Sequence, residues 1–590
     1  MSNKTHRDQE QFRNAALDYH RNEPKGKIEV IPSKPHSSQR DLSLAYSPGV
    51  AEPCLEIEKN PSSIYEYTTK GNLVAVISNG TAVLGLGDIG AEASKPVMEG
   101  KGLLFKIFAD INVFDIEINE KDPDKFIEIV KGISPTFGGI NLEDIKAPEA
   151  FYIEQRLKEE LNIPLMHDDQ HGTAIISAAA LINALELADK KIDEVKMVVN
   201  GAGAAAIACT KLYIALGLKK ENVLMCDSKG VINHKRENLT PEKLDFIAQT
   251  DISTLEQALE GADVFVGLSK GDVMTAKMLS SMAENPVVFA LANPTPEIDY
   301  NLAITTRPDV IMATGRSDFP NQVNNVLGFP YIFRGALDVQ ATGINEEMKL
   351  AAVKAIAELA KEPVPEMVKL AYNVKNIGFG REYFIPKPFD NRLLTKVSIA
   401  VAKAAMESGI SRKPIADFEE YENQLLDRMG RDEKLIRMMQ NRARSNPKRV
   451  TLGNAEEYNV LKAAQILYEE GIAHPILLGE KKFIKEQMEK FGIHLDVPIV
   501  DPMDDDQDEN RKKYRETLWR LRNRKGVNEY IAKRLVRQRD YFGPLMLKHG
   551  DTDALIVGYS KNYRTVLRPV LEIIENAKGV DKIASMMMIL

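Results

Sequence analysis

The sequence is poor in cysteine, in tryptophan and in long apolar runs. Its 590 residues include three cysteines, Cys54, Cys209 and Cys226, and a single tryptophan. So few cysteines exclude a disulfide-stapled secreted domain, and their spacing matches no zinc motif. Because no run of about 20 uninterrupted apolar residues occurs, we expect no membrane span. The polar first 20 residues lack an apolar stretch, so we expect no signal peptide and a cytoplasmic protein.

A strong charge of one sign is also missing. Lys and Arg number 77 against 85 Asp and Glu, which gives a formal net charge of −8. This balance argues against a nucleic-acid-binding protein. In the most basic segment, 511–526, we expect a helix whose Tyr514, Leu518 and Leu521 face a core and whose arginines face water. A phosphate or nucleic-acid patch is the less favoured alternative.

What the sequence does contain is an alternation of short apolar strands with helices. The composition, 44% hydrophobic and 27% charged, is that of a soluble globular protein. At this length we expect two to four domains. Residues 40–54 contain Ser-Pro-Gly and Glu-Pro steps that predict turns. Five strands are predicted between residues 193 and 335, namely KMVVN, NVLMCD, ADVFVGL, PVVFALAN and DVIMATG. Such strands, separated by helices, predict a parallel sheet buried on both faces.

Two glycine patterns compete for a dinucleotide. One is the G-x-G-x-x-G at Gly85, Gly87 and Gly90, and the other is the G-x-G-x-x-A that starts at Gly201. Binding needs a strand before the turn and a helix after it, so that free N–H groups at the helix N-terminus meet the pyrophosphate. The second pattern fits better, whereas the first suits a turn that lines a pocket. The predicted cofactor loop is Gly201, Ala202, Gly203, Ala204, Ala205 and Ala206.

The choice between NAD and NADP stays open at this point. Asp227 ends the strand after the glycine loop, where an acid can hold the ribose 2′-hydroxyl of NAD. Lys229, Lys235 and Arg236 follow closely and are able to hold the 2′-phosphate of NADP instead. These charges are also compatible with an ordinary surface loop.

Two acidic pairs predict a metal site. Glu143 and Asp144 are adjacent in GGINLEDIKAP, and Asp168 and Asp169 are adjacent in HDDQHG. Carboxylate oxygens are the ligands of hard divalent cations, so the pairs favour Mg²⁺ or Mn²⁺ over zinc, although two histidines flank the second pair. The alternative is helix N-capping, where acids stabilise the helix dipole.

Several isolated polar residues gain meaning only in combination. They are Tyr46, Lys101, Asn293 and the pair Asn324–Asn325. Taken singly, each is explained as a turn or surface residue. Asn293 follows the predicted strand PVVFALA, at a carboxyl end where α/β sheets bind ligands.

The motifs together resemble malic enzymes of the bacterial type. The blocks that carry the resemblance run in order from about residue 40 to 340: DLSLAYSPGVAEPC, VLGLGDIGAEASKPVMEGKGLLF, GGINLEDIKAP, HDDQHGTAI, NGAGAAA, LANPTPEI and VNNVLGFPYIFRGAL. The resemblance implies oxidative decarboxylation of (S)-malate to pyruvate and CO₂. The expected cofactors are NADP, with NAD as the alternative, and Mg²⁺ or Mn²⁺.

The same resemblance implies a role for each candidate residue. Tyr46 is the expected general acid and Lys101 the expected general base, which also binds substrate. The remaining roles are metal ligation by Glu143, Asp144 and Asp169, contact with substrate or nicotinamide by Asn293 and Asn325, and support by Asp168, Gly85 and Gly87. Animal members carry an arginine at the position of Ala82, so the group that holds the distal malate carboxylate is left open. An inactive nucleotide-binding sensor or scaffold would be marked by loss of these residues, and none is lost.

From about residue 430 the chain resembles the first half of a phosphotransacetylase domain. The cues are KRVTLGNAEEYNVLKAAQILYEEGIAHPILLG and the segment from DALIVGYSKNYRTVLRP to the final MMMIL. Asn562 and Tyr563 stand where working enzymes of that family have small hydroxyl residues. The resemblance therefore implies a regulatory module that senses acetyl-CoA and supports a homo-oligomer, as in the long hybrid class of malic enzymes.

These expectations give a three-part α/β organisation. We predict an N-terminal malic enzyme domain at 1–165 for substrate and metal, a Rossmann-type doubly wound domain at 166–410 and a linker at 411–430. A phosphotransacetylase-like domain, expected to be incomplete, follows at 431–590.

Overall fold

The computed structural model describes residues 2–23, 25–83, 85–372, 377–429, 439–440, 442–493, 495–560 and 562–575. The chain divides into two compact units, Met1–Met429 and Gly430–Leu590. The sequence end MMMIL, on which the expectation of an incomplete domain rested, lies outside the described residues.

Two helices occupy much of the segment 40–54 in which the sequence predicted turns, and the expected Ser-Pro-Gly turn lies between them. The element order begins with α1 Ser2–Arg21, α2 Gln39–Ala45, α3 Ala51–Lys59 and α4 Ile64–Tyr67. Residues 40–45 are helical because Ser38 caps α2 through a reciprocal capping box with Asp41. Pro53 falls in the first turn of α3, where a missing N–H costs nothing, so the turn expected at Glu52–Pro53 is replaced by helix while the turn around Pro48 is present.

A four-stranded parallel sheet follows, in the order β2-β1-β3-β4. Its strands are β1 Leu73–Ser78, β2 Asn112–Glu117, β3 Gly139–Leu142 and β4 Leu165–His167. The helices of this part are α5 Ala91–Ala109, α6 Pro123–Ile133, α7 Glu149–Glu160 and α8 Asp168–Ala188. Every residue of β1, β3 and β4 is buried, as expected for a parallel sheet covered on both faces.

The second sheet has six strands in the order β10-β9-β8-β5-β6-β7. The strands are β5 Met197–Asn200, β6 Val223–Asp227, β7 Gly230–Val231, β8 Val264–Gly267, β9 Val287–Ala290 and β10 Ile311–Thr314. The helices between them are α9 Ala204–Ala215, α10 Pro241–Leu244, α11 Leu255–Leu259, α12 Ala276–Ser280 and α13 Tyr300–Thr306. The five predicted strands are all present and parallel, and β7 adds an antiparallel edge. From β5 the chain first adds β6 and β7 on one side and then β8, β9 and β10 on the other side, which is the arrangement of a Rossmann-type sheet. The expected α/β class is confirmed.

The long helix α8 belongs to the core of the first unit. Among the described residues it is the one helix long and apolar enough to cross a membrane, and 72% of its apolar window is buried inside the protein. It packs against α9 through a buried hydrogen bond of 2.7 Å from the Tyr213 hydroxyl to Ser177 Oγ. We therefore assign α8 as a core helix. Its first turn contains Asp168 and Asp169 and lies directly after β4.

In the described part of the first unit, five further helices follow. They are α14 Phe329–Asp338, α15 Glu346–Lys361, α16 Glu366–Ala371, α17 Arg392–Glu407 and α18 Phe418–Asp427. The last one lies in the stretch expected as a linker, and the structure differs there. Tyr421 and Leu425 are buried in the main core, and the Tyr421 hydroxyl donates to Asp338 Oδ2 at 2.8 Å. The segment 411–429 therefore contains an amphipathic helix that packs on the first unit, and its polar residues lie on the exposed face of that helix.

The second unit contains a four-stranded parallel sheet in the order β13-β12-β11-β14. Its strands are β11 Lys448–Gly453, β12 Ala473–Leu478, β13 Ile499–Val500 and β14 Ala554–Ile556. Its helices are α19 Tyr458–Glu469, α20 Lys481–Phe491, α21 Asp508–Arg522, α22 Glu529–Leu535, α23 Arg539–His549 and α24 Tyr563–Ile573.

The basic helix α21 faces the core of this unit as expected, but not all of its arginines face water, since the Arg522 side chain is only 18% exposed and pairs with Glu572. Tyr514 and Leu518 are fully buried, and Leu521 is half-buried. Arg511 is buried rather than in water. Its guanidinium donates to the Pro502 carbonyl at 2.8 Å and pairs with Asp508 at 2.5 Å, which offsets the cost of burying the charge.

Candidate functional site

Three carboxylates meet at the carboxyl edge of the first sheet. Glu143 and Asp144 follow β3, and Asp169 lies in the first turn of α8, directly after β4. Because β3 and β4 are parallel neighbours, their ends lie at the same edge. One carboxylate oxygen from each of the three residues lies within 4.8 Å of the other two. Asp144 has a φ of 53°, and its backbone amide donates to Asp169 Oδ2 at 2.8 Å.

Lys101 lies beside this acidic cluster and is held by two carboxylates. Its Nζ lies 2.7 Å from Asp168 Oδ2 and 2.9 Å from Glu143 Oε1. The ammonium also lies 4.4 Å from the centre of the Phe329 ring, within range of a cation–π contact. Asn325 Nδ2 donates to Asp168 Oδ2 at 3.0 Å. The structure thus brings Lys101, Asp168 and Asn325 together, although 157 residues separate the last two along the chain.

The negative charges of this cluster outnumber the single ammonium of Lys101 beside them. Burial raises the pKa of Glu143 to about 8 against the opposing effect of Lys101, and burial together with Asp144 raises the pKa of Asp169 to about 7. Burial alone would lower the pKa of Lys101, but Asp168, Glu143 and Asp169 outweigh it and raise that pKa above its usual value. The site therefore has an excess of negative charge that an added cation would relieve.

The two histidines of HDDQH are not members of the three-acid group, although His167 Nδ1 lies 3.7 Å from Asp169 Oδ2. His171 Nε2 lies 3.0 Å from Glu154 Oε2, and the His167 amide donates to Glu154 Oε1 at 3.0 Å. The His167 ring is fully buried, and burial lowers its pKa to about 4, so the ring is neutral. Glu154 thus holds the junction of β4 and α8 through both histidines. The three residues whose oxygens converge as possible metal ligands are all carboxylates. This set has the chemistry of a Mg²⁺ or Mn²⁺ site.

The dinucleotide loop connects β5 to α9 as expected. Gly201 has a φ of +140°, and a Cβ there would lie 2.7 Å from the Leu268 carbonyl oxygen, so only glycine fits. A Cβ at Gly203 would meet no atom within 4 Å, which leaves open space in front of the helix. Ala206 is buried where α9 packs on the sheet. Ala202, Ala204 and Ala205 are half-buried, and α9 begins without a side-chain cap. Its free amides face this space and fit a pyrophosphate.

Asp227 lies at the end of β6 next to this loop. The Gly201 amide donates to the carbonyl of the preceding residue, Cys226, at 2.8 Å. The Asp227 carboxylate pairs with Arg236 at 2.9 Å and with Lys243 at 3.2 Å. Burial would raise the pKa of Asp227, but the hydrogen bonds from Arg236, from the Lys229 amide and from Lys243 lower it to about 2.

Asn293 lies between the first glycine pattern and the second sheet. A Cβ on Gly85 would lie 3.9 Å from the Asn293 carbonyl oxygen, and one on Gly315 would lie 2.9 Å from its Nδ2. Gly85 and Gly87 both have positive φ values and are exposed, so they form a turn rather than a dinucleotide loop. This turn brings the loop after β1 against the carboxyl end of β9.

The structure does not bring Tyr46 to Lys101. Tyr46 is 77% exposed at the end of α2, and its hydroxyl makes no hydrogen bond to any residue in the described parts of the chain. Several apolar residues near it in the sequence are also exposed, among them Val30, Ile31, Leu42 and Leu44.

Sequence reasoning missed the residues that position this site. Asn141 Nδ2 donates to Glu143 Oε2 at 2.8 Å, and the Thr173 hydroxyl donates to Asn325 Oδ1 at 3.1 Å. Glu297 is fully buried and accepts the amides of Ser269 at 3.2 Å and Ala292 at 3.1 Å, which ties the ends of β8 and β9 together. The one available signal was a polar residue inside an otherwise apolar strand, as for Asn141.

Three family models match successive parts of the chain. The one described as "Malic enzyme, N-terminal domain" matches residues 25–158, and "Malic enzyme, NAD binding domain" matches residues 170–378. The model "Phosphate acetyl/butaryl transferase" matches residues 434–590.

Individual proteins agree with these matches. The chain is 53% identical over 581 residues to the NADP-dependent malic enzyme of Escherichia coli K12, which is 98% of this chain and 76% of that protein. It is 49% identical over 572 residues to the NAD-dependent malic enzyme of Rhizobium meliloti, 96% of this chain and 74% of that one. The crystal structure of malic enzyme from Pyrococcus horikoshii matches with a TM-score of 0.66 and 43% identity. That match covers 73% of this chain and 99% of the other.

Proposed function

Because the chain belongs to the malic enzyme family, we propose that it converts (S)-malate to pyruvate and CO₂ with reduction of NADP and a requirement for Mg²⁺ or Mn²⁺. The resemblance that the sequence motifs indicated is confirmed, including the phosphotransacetylase-like C-terminal part. The observation that carries the activity is the meeting of Glu143, Asp144 and Asp169 beside Lys101.

The acidic cluster fits a divalent cation because its three carboxylates are crowded and two of them, Glu143 and Asp169, have raised pKa values. Glu143, Asp144 and Asp169 would hold the ion. When bound, it supplies Lewis-acid polarisation of the malate C2 hydroxyl and of the keto acid that follows. Because these carboxylates lie at the carboxyl ends of β3 and β4, malate would bind at this edge of the first sheet.

Lys101 is the group that moves the C2 hydroxyl proton in this proposal. Asp168 and Glu143 hold its Nζ in one position, and Asn325 holds Asp168 in turn. The same acids keep the amine protonated, so Lys101 acts as a base only when added positive charge offsets them. Asn293 and the Gly85 turn lie at the carboxyl end of β9, where the nicotinamide and substrate are expected.

Tyr46 is proposed to protonate C3 of the enol product. Its exposed position requires that it approach Lys101 by closure of its own segment or from a second copy of the chain. A homo-oligomer is proposed on the same ground, because the exposed apolar residues Val30, Ile31, Leu42 and Leu44 need a partner surface.

The C-terminal unit is proposed to regulate the enzyme by binding acetyl-CoA. The support is the match of residues 434–590 to phosphate acetyl/butaryl transferases. Asn562 and Tyr563 replace the small hydroxyl residues expected for acetyl transfer, so a binding role is the better proposal. The side chain of Tyr563 lies outside the described residues. Cytoplasmic location and the absence of nucleic-acid and membrane partners remain proposals as well.

The test is a malate-dependent absorbance assay at 340 nm with the full chain. Rates are measured with NADP or NAD, with and without Mn²⁺, and with and without acetyl-CoA. We expect a Mn²⁺-dependent rate that is higher with NADP and that changes on addition of acetyl-CoA. If no rate is measured under any of these conditions, the enzymatic proposal is wrong, and the nucleotide-binding sensor or scaffold is the alternative to test.

A further inference from the structure

We propose that Arg236 and Lys243 form the recognition site for the 2′-phosphate of NADP, and that Asp227 positions these two cations instead of binding the ribose. This inference rests on the proposed use of NADP and assigns it to particular side chains. Arg236 follows the hairpin of β6 and β7, and Lys243 lies in α10, so their approach is not evident from the sequence.

The acceptor positions of the Asp227 carboxylate are all in use. Oδ1 accepts the Lys229 amide at 2.9 Å and Arg236 Nη2 at 3.0 Å. Oδ2 accepts Arg236 Nη2 at 2.9 Å and Lys243 Nζ at 3.2 Å. An ionised carboxylate offers about four lone-pair sites, so none is left for a ribose 2′-hydroxyl. Asp227 is therefore not free to accept the hydrogen bond from the ribose 2′-hydroxyl by which an acid at this position favours NAD.

The charges around Asp227 favour binding of a phosphate group. Two cations face one carboxylate, which leaves an excess positive charge beside the Gly201 turn. Side-chain exposures of 17% for Arg236 and 23% for Lys243 show that both are half-buried and still open to solvent on one side. Arg236 is further fixed by Nη1, which donates to the Val231 carbonyl at 3.3 Å. A preorganised guanidinium and an amine are the groups that bind phosphate well.

The neighbouring lysines are less suited to this role. Lys235 points to Asp251, with its Nζ 2.6 Å from Oδ1, and that pair is exposed on both sides. Lys229 contributes its backbone amide to Asp227, and its own side chain is exposed. The structure therefore separates Arg236 and Lys243 from the other basic residues of the segment.

The experiment measures binding, not turnover. Dissociation constants of the full chain are determined by calorimetry for NADPH, NADH, 2′,5′-ADP and 5′-AMP, in wild type and in the variants Arg236→Gln and Lys243→Gln. Since each variant removes a charge-assisted hydrogen bond, we expect about tenfold or greater weakening of NADPH and 2′,5′-ADP. NADH and 5′-AMP should change less than about twofold, because they lack the phosphate. Arg236→Lys should retain part of the affinity.

Two further variants make the result specific. Lys277→Gln removes a cation from an exposed pair in the same domain and should leave all four constants unchanged. Lys243→Gln leaves the hydrogen bonds of the β6–β7 hairpin intact, so it remains informative if Arg236→Gln does not fold. NADPH affinity that is unchanged in both Gln variants, or lost in Lys235→Gln instead, would overturn the inference while NADP use stands. A wild-type protein that prefers NADH would overturn both together.

Discussion

Gly172 offers a sharp test of how the site is positioned. It lies in α8, one helical turn after Asp168. The Asp168 carboxylate occupies the space that a side chain at residue 172 would need. A Cβ added at Gly172 would lie 2.1 Å from Asp168 Oδ1 and 3.0 Å from Asn325 Cγ. We therefore predict that Gly172→Ala displaces both groups that hold Lys101.

The size of the effect follows from these distances. Relief of the overlap needs a shift of roughly 1.5 Å, since the Cβ would lie 2.1 Å from Asp168 Oδ1 and non-bonded heavy atoms settle at about 3.5–4.0 Å. Asp168 cannot shift freely, because its Oδ2 contacts Lys101 at 2.7 Å and Asn325 at 3.0 Å. Misplacement of a catalytic group by about 1 Å can cost about 10²-fold in rate. Stability changes less, because the gain in helix propensity of about 1 kcal/mol opposes an overpacking cost of about 1–3 kcal/mol.

The assay compares kcat, KM and the thermal midpoint of Gly172→Ala with those of Gly132→Ala. Gly132 lies in α6, and a Cβ there meets no atom within 4 Å. We expect kcat to fall about a hundredfold in Gly172→Ala with a small change in the midpoint. The control should keep its kcat and melt at the same or a higher temperature. A Gly172→Ala enzyme that keeps more than about a third of the wild-type kcat would refute the positioning role.

Three further outcomes are expected. Lys101→Ala should abolish malate oxidation while NADPH binding is retained, and full steady-state activity would rule out the base assignment. Tyr46→Phe should chiefly slow protonation of enolpyruvate. If a second copy supplies this tyrosine, mixing Tyr46→Phe with Lys101→Ala raises the rate of pyruvate formation above that of either variant alone, whereas a site within one chain gives no gain. Asp169→Ala should lose the normal Mn²⁺ titration, measured as rate against Mn²⁺, and the exposed Asp124→Ala should keep it; a normal titration in Asp169→Ala would show that the ligand set is wrong.

Apolar patterning predicted the five parallel strands of the nucleotide-binding sheet, whereas it did not predict which polar segments form helices. The five strands of the nucleotide-binding part are short, buried and rich in Val, Ile and Phe, so their pattern is unambiguous. Residues 40–45 and 418–427 look like turn and linker because their helices bury few side chains. A capping box of Ser38 with Asp41 stabilises the first, and a tertiary hydrogen bond from Tyr421 stabilises the second. The S-x-x-D spacing of the capping box is visible in the sequence, whereas the contact of Tyr421 joins residues far apart in the chain.

The acidic pair Asp168–Asp169 shows why the site was only partly predictable. The sequence presents two equivalent carboxylates, and the resemblance alone assigned one of them to the metal. In the structure both lie in the first turn of α8, where successive side chains differ in direction by about 100°. Asp168 therefore faces Lys101 and is fully buried, while Asp169 faces Asp144 and has a side chain that is 40% exposed. One acid holds the proposed base and the other belongs to the proposed metal site, and helix geometry alone separates the two roles.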